Sequence, residues 1–375
     1  MATTQAVLER PANAAEVAAV LARGQHTRPI GGATKIGWGA SGAHPEVELS
    51  TERLDALIEH NEGDFTAIMQ AGLRLRDAQE AFAQAGQRLS LDPPDPDGRA
   101  TIGGVLATAD SGPVRHRYGG VRDLILGIQI ALPDGTVARA GSRVIKNVAG
   151  YDLAKLMCGA FGTLGVICEV IMRLHPVPPA TATAVGRAGD AGALARAASA
   201  VRMQPVELEA LDVAWEGSSG VILAQAGGRA CGAAVEAVAT VIGEQGLETE
   251  LVEDDEQLWQ TQRSRQRAAG ETAIARVSFP PADLARVLNV APRAVARAGS
   301  GVAWIELDPD PDALARLRTA LAPCSCILLD APDWLRSAVD VWGVADGPEL
   351  ALMERVKARF DPDAILNRGR FAGGL

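Results

Sequence analysis

Histidine, cysteine and carboxylate side chains are the chain's material for acid–base, thiol and metal chemistry, and their spacing restricts what each can do. His116 stands between two arginines in Arg115-His-Arg-Tyr118. It is the most tempting base, but flanking cations are the usual setting of a solvated loop residue. Beyond it only His175 remains, inside His175-Pro-Val-Pro-Pro179, so no downstream histidine cluster exists to hold a metal or take a proton. Cys158, Cys168, Cys231, Cys324 and Cys326 form no Cys-x-x-Cys pair. Cys324-Ser-Cys326 has neither a second pair nor a histidine near it in sequence, which favours buried thiols over a zinc or iron–sulfur site. An odd count without a secretory leader points to reduced thiols. Arg117, Tyr118 and Lys146 could orient a carboxylate, yet two cations and a neutral phenol are poor bases. The catalytic residue stays unassigned.

Glycine and threonine mark the densest stretch, from Pro93 to Leu174. It holds Pro93-Pro-Asp-Pro96, Thr101-Ile-Gly-Gly-Val-Leu-Ala107, Arg117-Tyr-Gly-Gly-Val-Arg-Asp-Leu124, Lys146-Asn-Val-Ala-Gly-Tyr-Asp-Leu153 and Phe161-Gly-Thr-Leu-Gly-Val-Ile167. Glycine inside an element costs up to about 1 kcal/mol relative to alanine. Its repeated use implies backbone held close to something large and flat, or a tight sheet corner. Upstream, His26 to Ile30 reads as a short strand entering the loop Gly31-Gly-Ala-Thr-Lys35. Loops of this type can turn successive N–H groups toward one anion. Gly37-Trp-Gly-Ala-Ser-Gly42 fits the dinucleotide glycine pattern, but that fingerprint needs a helix opening on the glycines. Here His44-Pro45 and a strand-like Val47-Glu-Leu49 follow, which excludes an NAD site. Neither a phosphate-loop motif nor a Gly-x-Ser-x-Gly elbow is present.

These motifs must be carried by alternating helices and strands. Asn13 and Glu16 have capping-box spacing ahead of Val17, Val20 and Leu21, and Gly24 ends that helix. Ser50 or Thr51 is placed to cap a helix bearing Leu54, Leu57 and Ile58. A strand over Phe65–Gln70 and a helix over Leu75–Ala85 follow, and Thr101 and Asp152 begin two further helices. Leu124, Leu126, Ile128, Ile130 and Leu132 alternate as a strand does, and Pro133-Asp-Gly135 turns it back toward Val137. His175-Pro-Val-Pro-Pro-Ala180 reads as a boundary, after which alanine-rich helices alternate with strands. The closing helix runs over Pro348–Phe360. The pattern is an α+β fold.

Taken together and in this order, the motifs resemble the flavoproteins with the FAD-binding fold of vanillyl-alcohol oxidase and p-cresol methylhydroxylase. Within it the chain is similar to the smaller FAD-binding subunit type of bacterial glycolate oxidase. The likeness covers the first half and the tail Asp361-Pro-Asp-Ala-Ile-Leu-Asn-Arg-Gly369. It implies two subdomains binding FAD (residues 1–178), a smaller α+β cap domain (179–345) and a C-terminal segment returning to the FAD domain (346–375). By the same resemblance Gly31, Gly32, Ala33, Thr34 and Lys35 hold the pyrophosphate. Pro94, Thr101, Gly104, Thr108 and Gly112 line the flavin and its chain, Gly165 and Ile167 contact it, and Asn367 touches the flavin ring. Covalent members place a histidine in the first loop, where this chain has Gly32-Ala33-Thr34, so the FAD is expected to be non-covalent. Arg368 replaces the proline usual in the closing motif, which bears on backbone rigidity there.

The resemblance implies oxidation of glycolate or a related small 2-hydroxy acid. Related self-sufficient dehydrogenases carry a histidine-rich motif near the flavin that this chain lacks. A larger sister FAD subunit and an iron–sulfur subunit are therefore the expected partners, with slow oxidation by this chain alone; the alternatives are a self-sufficient 2-hydroxy-acid dehydrogenase of the same fold and a non-catalytic assembly subunit that retains it. The formal charge of -10, from 36 basic and 46 acidic residues, speaks against a nucleic-acid partner. The uncharged run Leu156–Cys168 is broken by glycines and is shorter than the about 20 residues a membrane span needs. A cytoplasmic location follows as an expectation, with attachment to the inner face of the plasma membrane through partners compatible with it.

Overall fold

The computed structural model describes residues 5–142 and 152–375. Lys146 and most of its motif lie outside these. Three short strands, Val7–Glu9, Val47–Ser50 and Thr27–Ile30, form a parallel sheet in that order. The helix Ala14–Leu21 feeds it; Asn13 Oδ1 accepts from Glu16 N–H at 3.0 Å, while the Glu16 carboxylate takes the Ala12 N–H at 2.7 Å. Val17, Val20 and Leu21 are buried as the spacing requires.

A five-stranded antiparallel sheet follows, in the order Leu57–Asn61, Thr66–Gln70, Val166–Arg173, Ile125–Ala131 and Val137–Gly141. The helix expected after Ser50 or Thr51 does not form. Leu54 N–H closes a single turn onto Thr51 O at 2.9 Å, and Leu57 already starts a strand. The six-residue run has too few turns to outweigh sheet pairing with Thr66–Met69. The helices Leu75–Ala83 and Ile102–Thr108 pack here through Leu75, Ala78, Phe82, Ile102, Val105 and Leu106.

Strands between Thr181 and Asp330 build one eight-stranded antiparallel sheet. Its order is Glu248–Val252, Thr181–Ala188, Gly220–Gly227, Ala210–Trp215, Arg293–Arg297, Val302–Leu307, Ala273–Ser278 and Ser325–Asp330. The period of two divides its residues cleanly. Ala273, Ala275, Val277, Ala303, Ile305, Cys326 and Leu328 join a core with the helices Ala191–Arg202, Cys231–Glu244, Leu284–Val290 and Pro311–Leu321. The alternate residues Ile274, Val302, Trp304 and Leu329 face the other way and pack on Trp38, from the segment after the first glycine loop. That second face positions the site.

The final helix, Pro348–Phe360, brings the chain back to the first sheets. Lys357 is buried on it and donates to Thr163 O at 2.8 Å, to Leu366 O at 3.0 Å and to Asp361 Oδ2 at 2.6 Å. Asp361 in turn accepts from Ile365 and Leu366 N–H. The tail then pairs with strand Thr27–Ile30: Thr27 N–H donates to Ile365 O at 2.7 Å and Asn367 N–H to Thr27 O at 3.1 Å.

Candidate functional site

A cavity with about 810 Å³ of empty space opens between the first glycine loop, the helix Ile102–Thr108, the turn before strand Val166–Arg173 and the tail. Of the residues expected from sequence, Gly31, Gly32, Ala33, Thr34, Lys35, Thr101, Gly104, Thr108, Gly165, Ile167 and Asn367 all line it. Pro94 and Gly112 do not. Pro94 is buried outside the lining. Gly112 serves chain packing, since a Cβ there would sit 1.8 Å from Asp92 O.

Glycine has two separate uses around this cavity. At Gly31 an added Cβ would lie 2.3 Å from Thr101 Oγ1, and at Gly32 it would lie 1.6 Å from Arg99 O. These glycines let the loop lie against the chain entering the next helix. At Gly104 a Cβ would meet only Thr101 Oγ1, at 3.1 Å, so the absence of a side chain leaves room. Ala33 adopts a left-handed φ of 56°, the conformation in which successive N–H groups curve inward. Thr101 caps the helix by accepting from Gly104 N–H at 3.2 Å, and Thr108 donates to Gly104 O at 2.8 Å. Gly103, Gly162 and Gly165 extend the lining. One wall after another therefore presents backbone, which suits a long, flat cofactor with a pyrophosphate.

The loop is clamped from the far side by residues that no motif announced. Arg267 donates to Thr34 O at 3.0 Å and to Asp330 Oδ2 at 2.9 Å, with its guanidinium 5.1 Å from the Trp38 ring centre. Arg370 donates to Lys35 O at 3.3 Å and to Ile36 O; burial pulls its pKa down to about 10. Asn367 lines the cavity but donates Nδ2 to Phe161 O at 2.6 Å. At Arg368, which stands in place of proline, backbone hydrogen bonds tie the tail to a neighbouring segment. Ala43 N–H donates to Arg368 O at 2.8 Å and Ala40 N–H to Arg370 O at 3.0 Å. Those donors come from the Gly37–Gly42 region, which opens no helix and braces the tail.

A second, smaller chamber, with about 370 Å³ of empty space that is partly open to solvent, adjoins the cavity and shares Thr108 and Phe161 with it. One side is the outward face of the eight-stranded sheet, with Arg276, Trp304, Ile327 and Leu329; the other has Trp38, Asp110 and Trp342. Lys35 Nζ stands 3.2 Å from Asp110 Oδ2, and both side chains are nearly sealed from solvent, at 5% and 2% exposure. Burial pushes the Asp110 pKa up, against the pull of Lys35 and then Arg267. Arg276 makes no hydrogen bond or ion pair among the described residues. Its pKa is lowered, first by burial and then by Arg115, with Asp110 acting the other way. A largely buried guanidinium without a carboxylate partner is an anchor for an anion.

The residues first suspected of chemistry sit elsewhere. Arg117 Nη1 donates to Glu209 at 2.6 Å, Arg88 at 2.5 Å and Tyr118 OH at 3.1 Å, so these side chains hold the protein's own buried carboxylate. His116 is half-buried rather than solvated, docked where a Cβ on Gly299 would be 2.2 Å from its Nδ1. All five cysteines are free, and no group of three or more His, Cys, Asp or Glu among the described residues is arranged for a metal. No helix of the described residues is long and apolar enough to cross a membrane. Asp110, Arg276 and Arg267 carried no signal in sequence beyond the alternation of the strand Ala273–Ser278. Only contact across the two sheets brings them together.

The fold is the FAD-binding architecture of the vanillyl-alcohol oxidase and p-cresol methylhydroxylase type. Residues 5–141 match the family described as FAD binding domain, and FAD is the cofactor of this part of the chain. The solved structure of an alkyldihydroxyacetonephosphate synthase superposes with a TM-score of 0.71 at 15% identity, covering 96% of this chain and 76% of that one. Among curated proteins, the glycolate oxidase subunit GlcD of Bacillus subtilis is 31% identical over 211 residues, 54% of this chain and 44% of its own. The glycolate oxidase subunit GlcE of Escherichia coli is 38% identical over 125 residues, 33% of this chain and 36% of its own. The D-2-hydroxyglutarate dehydrogenase of Xanthomonas citri is 36% identical over 175 residues, 47% and 35% respectively. The match thus spans less than half the length of each of these relatives.

Proposed function

We propose that the chain is the FAD-binding subunit of a complex that oxidises glycolate or a related small 2-hydroxy acid to the 2-oxo acid and passes the electrons to partner subunits. The observation that carries this reading is the small chamber beside the cofactor cavity, with Arg276, unpaired among the described residues, and buried Asp110 both lining it. A 2-hydroxy acid presents a carboxylate and, one carbon away, a hydroxyl. Arg276 supplies the anchor for the first. Asp110 Oδ2, 3.2 Å from Lys35 Nζ, is our candidate for the oxygen that takes the proton of the second, a task that positioned bases accelerate typically ~10²–10⁴-fold. Trp38, Trp304 and Trp342 line the chamber and give it an apolar wall. Sequence reasoning left the chain without a base; Asp110 is our candidate for it.

FAD would lie along Gly31–Lys35, Thr101–Gly104 and Gly165–Ile167, and when bound it supplies the two-electron oxidation. The described lining offers no histidine, tyrosine or cysteine side chain to the cofactor, which supports non-covalent attachment. An iron–sulfur subunit and a larger sister flavoprotein are the proposed onward carriers, in keeping with the naming of the GlcD and GlcE relatives as glycolate oxidase subunits. The test is rapid mixing of the FAD-loaded chain with glycolate, D-lactate and D-2-hydroxyglutarate without oxygen. At least one acid should bleach the flavin, and Asp110→Asn should slow the bleaching while FAD content is retained. Equal bleaching rates in wild type and Asp110→Asn would remove Asp110 from the reaction.

A further inference from the structure

Arg276 lines more than the chamber beside the cofactor cavity. It also lines an open groove with about 930 Å³ of empty space, together with Arg115, Ser278, Ser300, Cys324 and Ser325. Arg276 is therefore the residue common to the outside surface and the chamber beside the cofactor cavity. Arg115 reaches the groove from the short helix Arg115–Tyr118. The only described hydrogen bond of its side chain is to Ser111 Oγ, at 3.5 Å, the outer limit of a hydrogen bond. The helix that carries it is fixed to the far sheet, because neighbouring His116 packs on Gly299 and Arg117 and Tyr118 hold Glu209. In a chain of formal charge -10, two guanidiniums without a carboxylate partner on one groove are unusual company. Each is denied the ion pair that most of the other buried or half-buried arginines make.

We propose that this groove is an anion-capture vestibule, in which Arg115 and Arg276 bind a small carboxylate at the seam between the two sheets before Arg276 delivers it to the chamber. Hydroxyls of Ser278, Ser300 and Ser325 offer further donors, so the preferred guest is a compact organic acid with oxygens on more than one side. Two like charges facing one groove repel, and an anion between them relieves that repulsion. Their combined field also raises the encounter rate of anions, an effect that salt screens. The capture step does not depend on the oxidation proposed above; only the delivery to the chamber rests on that reading.

The experiment uses the full, FAD-loaded chain and oxalate, a compact dicarboxylate with no C–H bond to oxidise. Binding is followed by tryptophan fluorescence, with Trp304 as the reporter, in stopped flow and at equilibrium. Wild type should bind oxalate with an association rate that falls severalfold between about 10 and about 150 mM salt. Arg115→Gln should weaken binding about ten- to hundredfold and flatten the salt dependence, and Arg115→Lys should restore much of both. An association rate in wild type that is indifferent to salt overturns the proposal without any variant. So does an Arg115→Gln protein that binds oxalate as wild type does. Oxalate capture dependent on Arg115, in a protein whose flavin no 2-hydroxy acid reduces, would sink the oxidation reading and leave the vestibule standing. Flavin reduction with Arg115-independent binding would do the reverse.

Discussion

Replacing Lys357 by methionine keeps the length of the side chain and removes its charge. The ammonium is buried, and it satisfies Thr163 O, Leu366 O and Asp361 Oδ2 at 2.8, 3.0 and 2.6 Å. Burial lowers its pKa, and Asp361 acts in the opposite direction. In the variant, Asp361 keeps the Ile365 and Leu366 N–H donors but loses its counter-ion at 1% exposure. Removing one partner of a buried pair costs about 3–5 kcal/mol, a large part of the about 5–15 kcal/mol that holds a typical domain. The loss should appear in urea unfolding. Because Lys357 ties the Gly162–Ile167 turn to the tail that carries Asn367, FAD affinity should fall as well, about tenfold for each ~1.4 kcal/mol transmitted to the cavity. Adding Asp361→Asn should recover part of the stability, since the orphaned charge is then gone. A Lys357→Met protein within about 0.5 kcal/mol of wild type, the range of surface changes, would refute the claim that this lysine locks the tail to the site.

Other outcomes follow from the cavity. Gly32→Ala should fail at folding rather than at FAD binding, because its Cβ would lie 1.6 Å from Arg99 O; thermal unfolding of the apoprotein reads this directly. Gly104→Val, at a position with only Thr101 Oγ1 at 3.1 Å, should leave the apoprotein stable within ~1 kcal/mol yet weaken FAD binding, measured by flavin fluorescence. Acid precipitation should release all the FAD into solution; flavin fluorescence that stays with the denatured polypeptide would contradict non-covalent attachment. The rate of flavin reduction should fall in acid with a midpoint above the ordinary aspartate value of 3.8, since burial raises the Asp110 pKa while Lys35 and Arg267 oppose the rise. The same pH profile in Asp110→Asn would show that another group titrates.

The first half of the fold was legible because its motifs are local. Asn13, Thr101 and Asp152 cap the helices their spacing announces, and the closing helix occupies the residues its pattern marks. The cavity lining was equally local: a glycine loop, a capped helix and a Gly-Thr-Leu-Gly turn each carry a sequence signature. Leu54, Leu57 and Ile58 misled because helical spacing over two turns is also compatible with a turn entering a strand. Asp110, Arg276, Arg267 and Lys357 stayed hidden for another reason. Each acts across a distance in sequence that only the packing of the two sheets and the returning tail closes. Conversely, Arg117 and Tyr118 looked available only because their partner, Glu209, lies far along the chain.

The most direct measurement is an anaerobic titration of the FAD-loaded chain with glycolate, D-lactate and D-2-hydroxyglutarate, followed by the flavin absorbance, first alone and then with the partner subunits present. The account predicts stoichiometric bleaching by at least one of these acids in the chain alone, and sustained turnover only when the partners carry electrons away. A flavin that remains oxidised with every acid, alone and in the complex, while FAD stays bound, would contradict it.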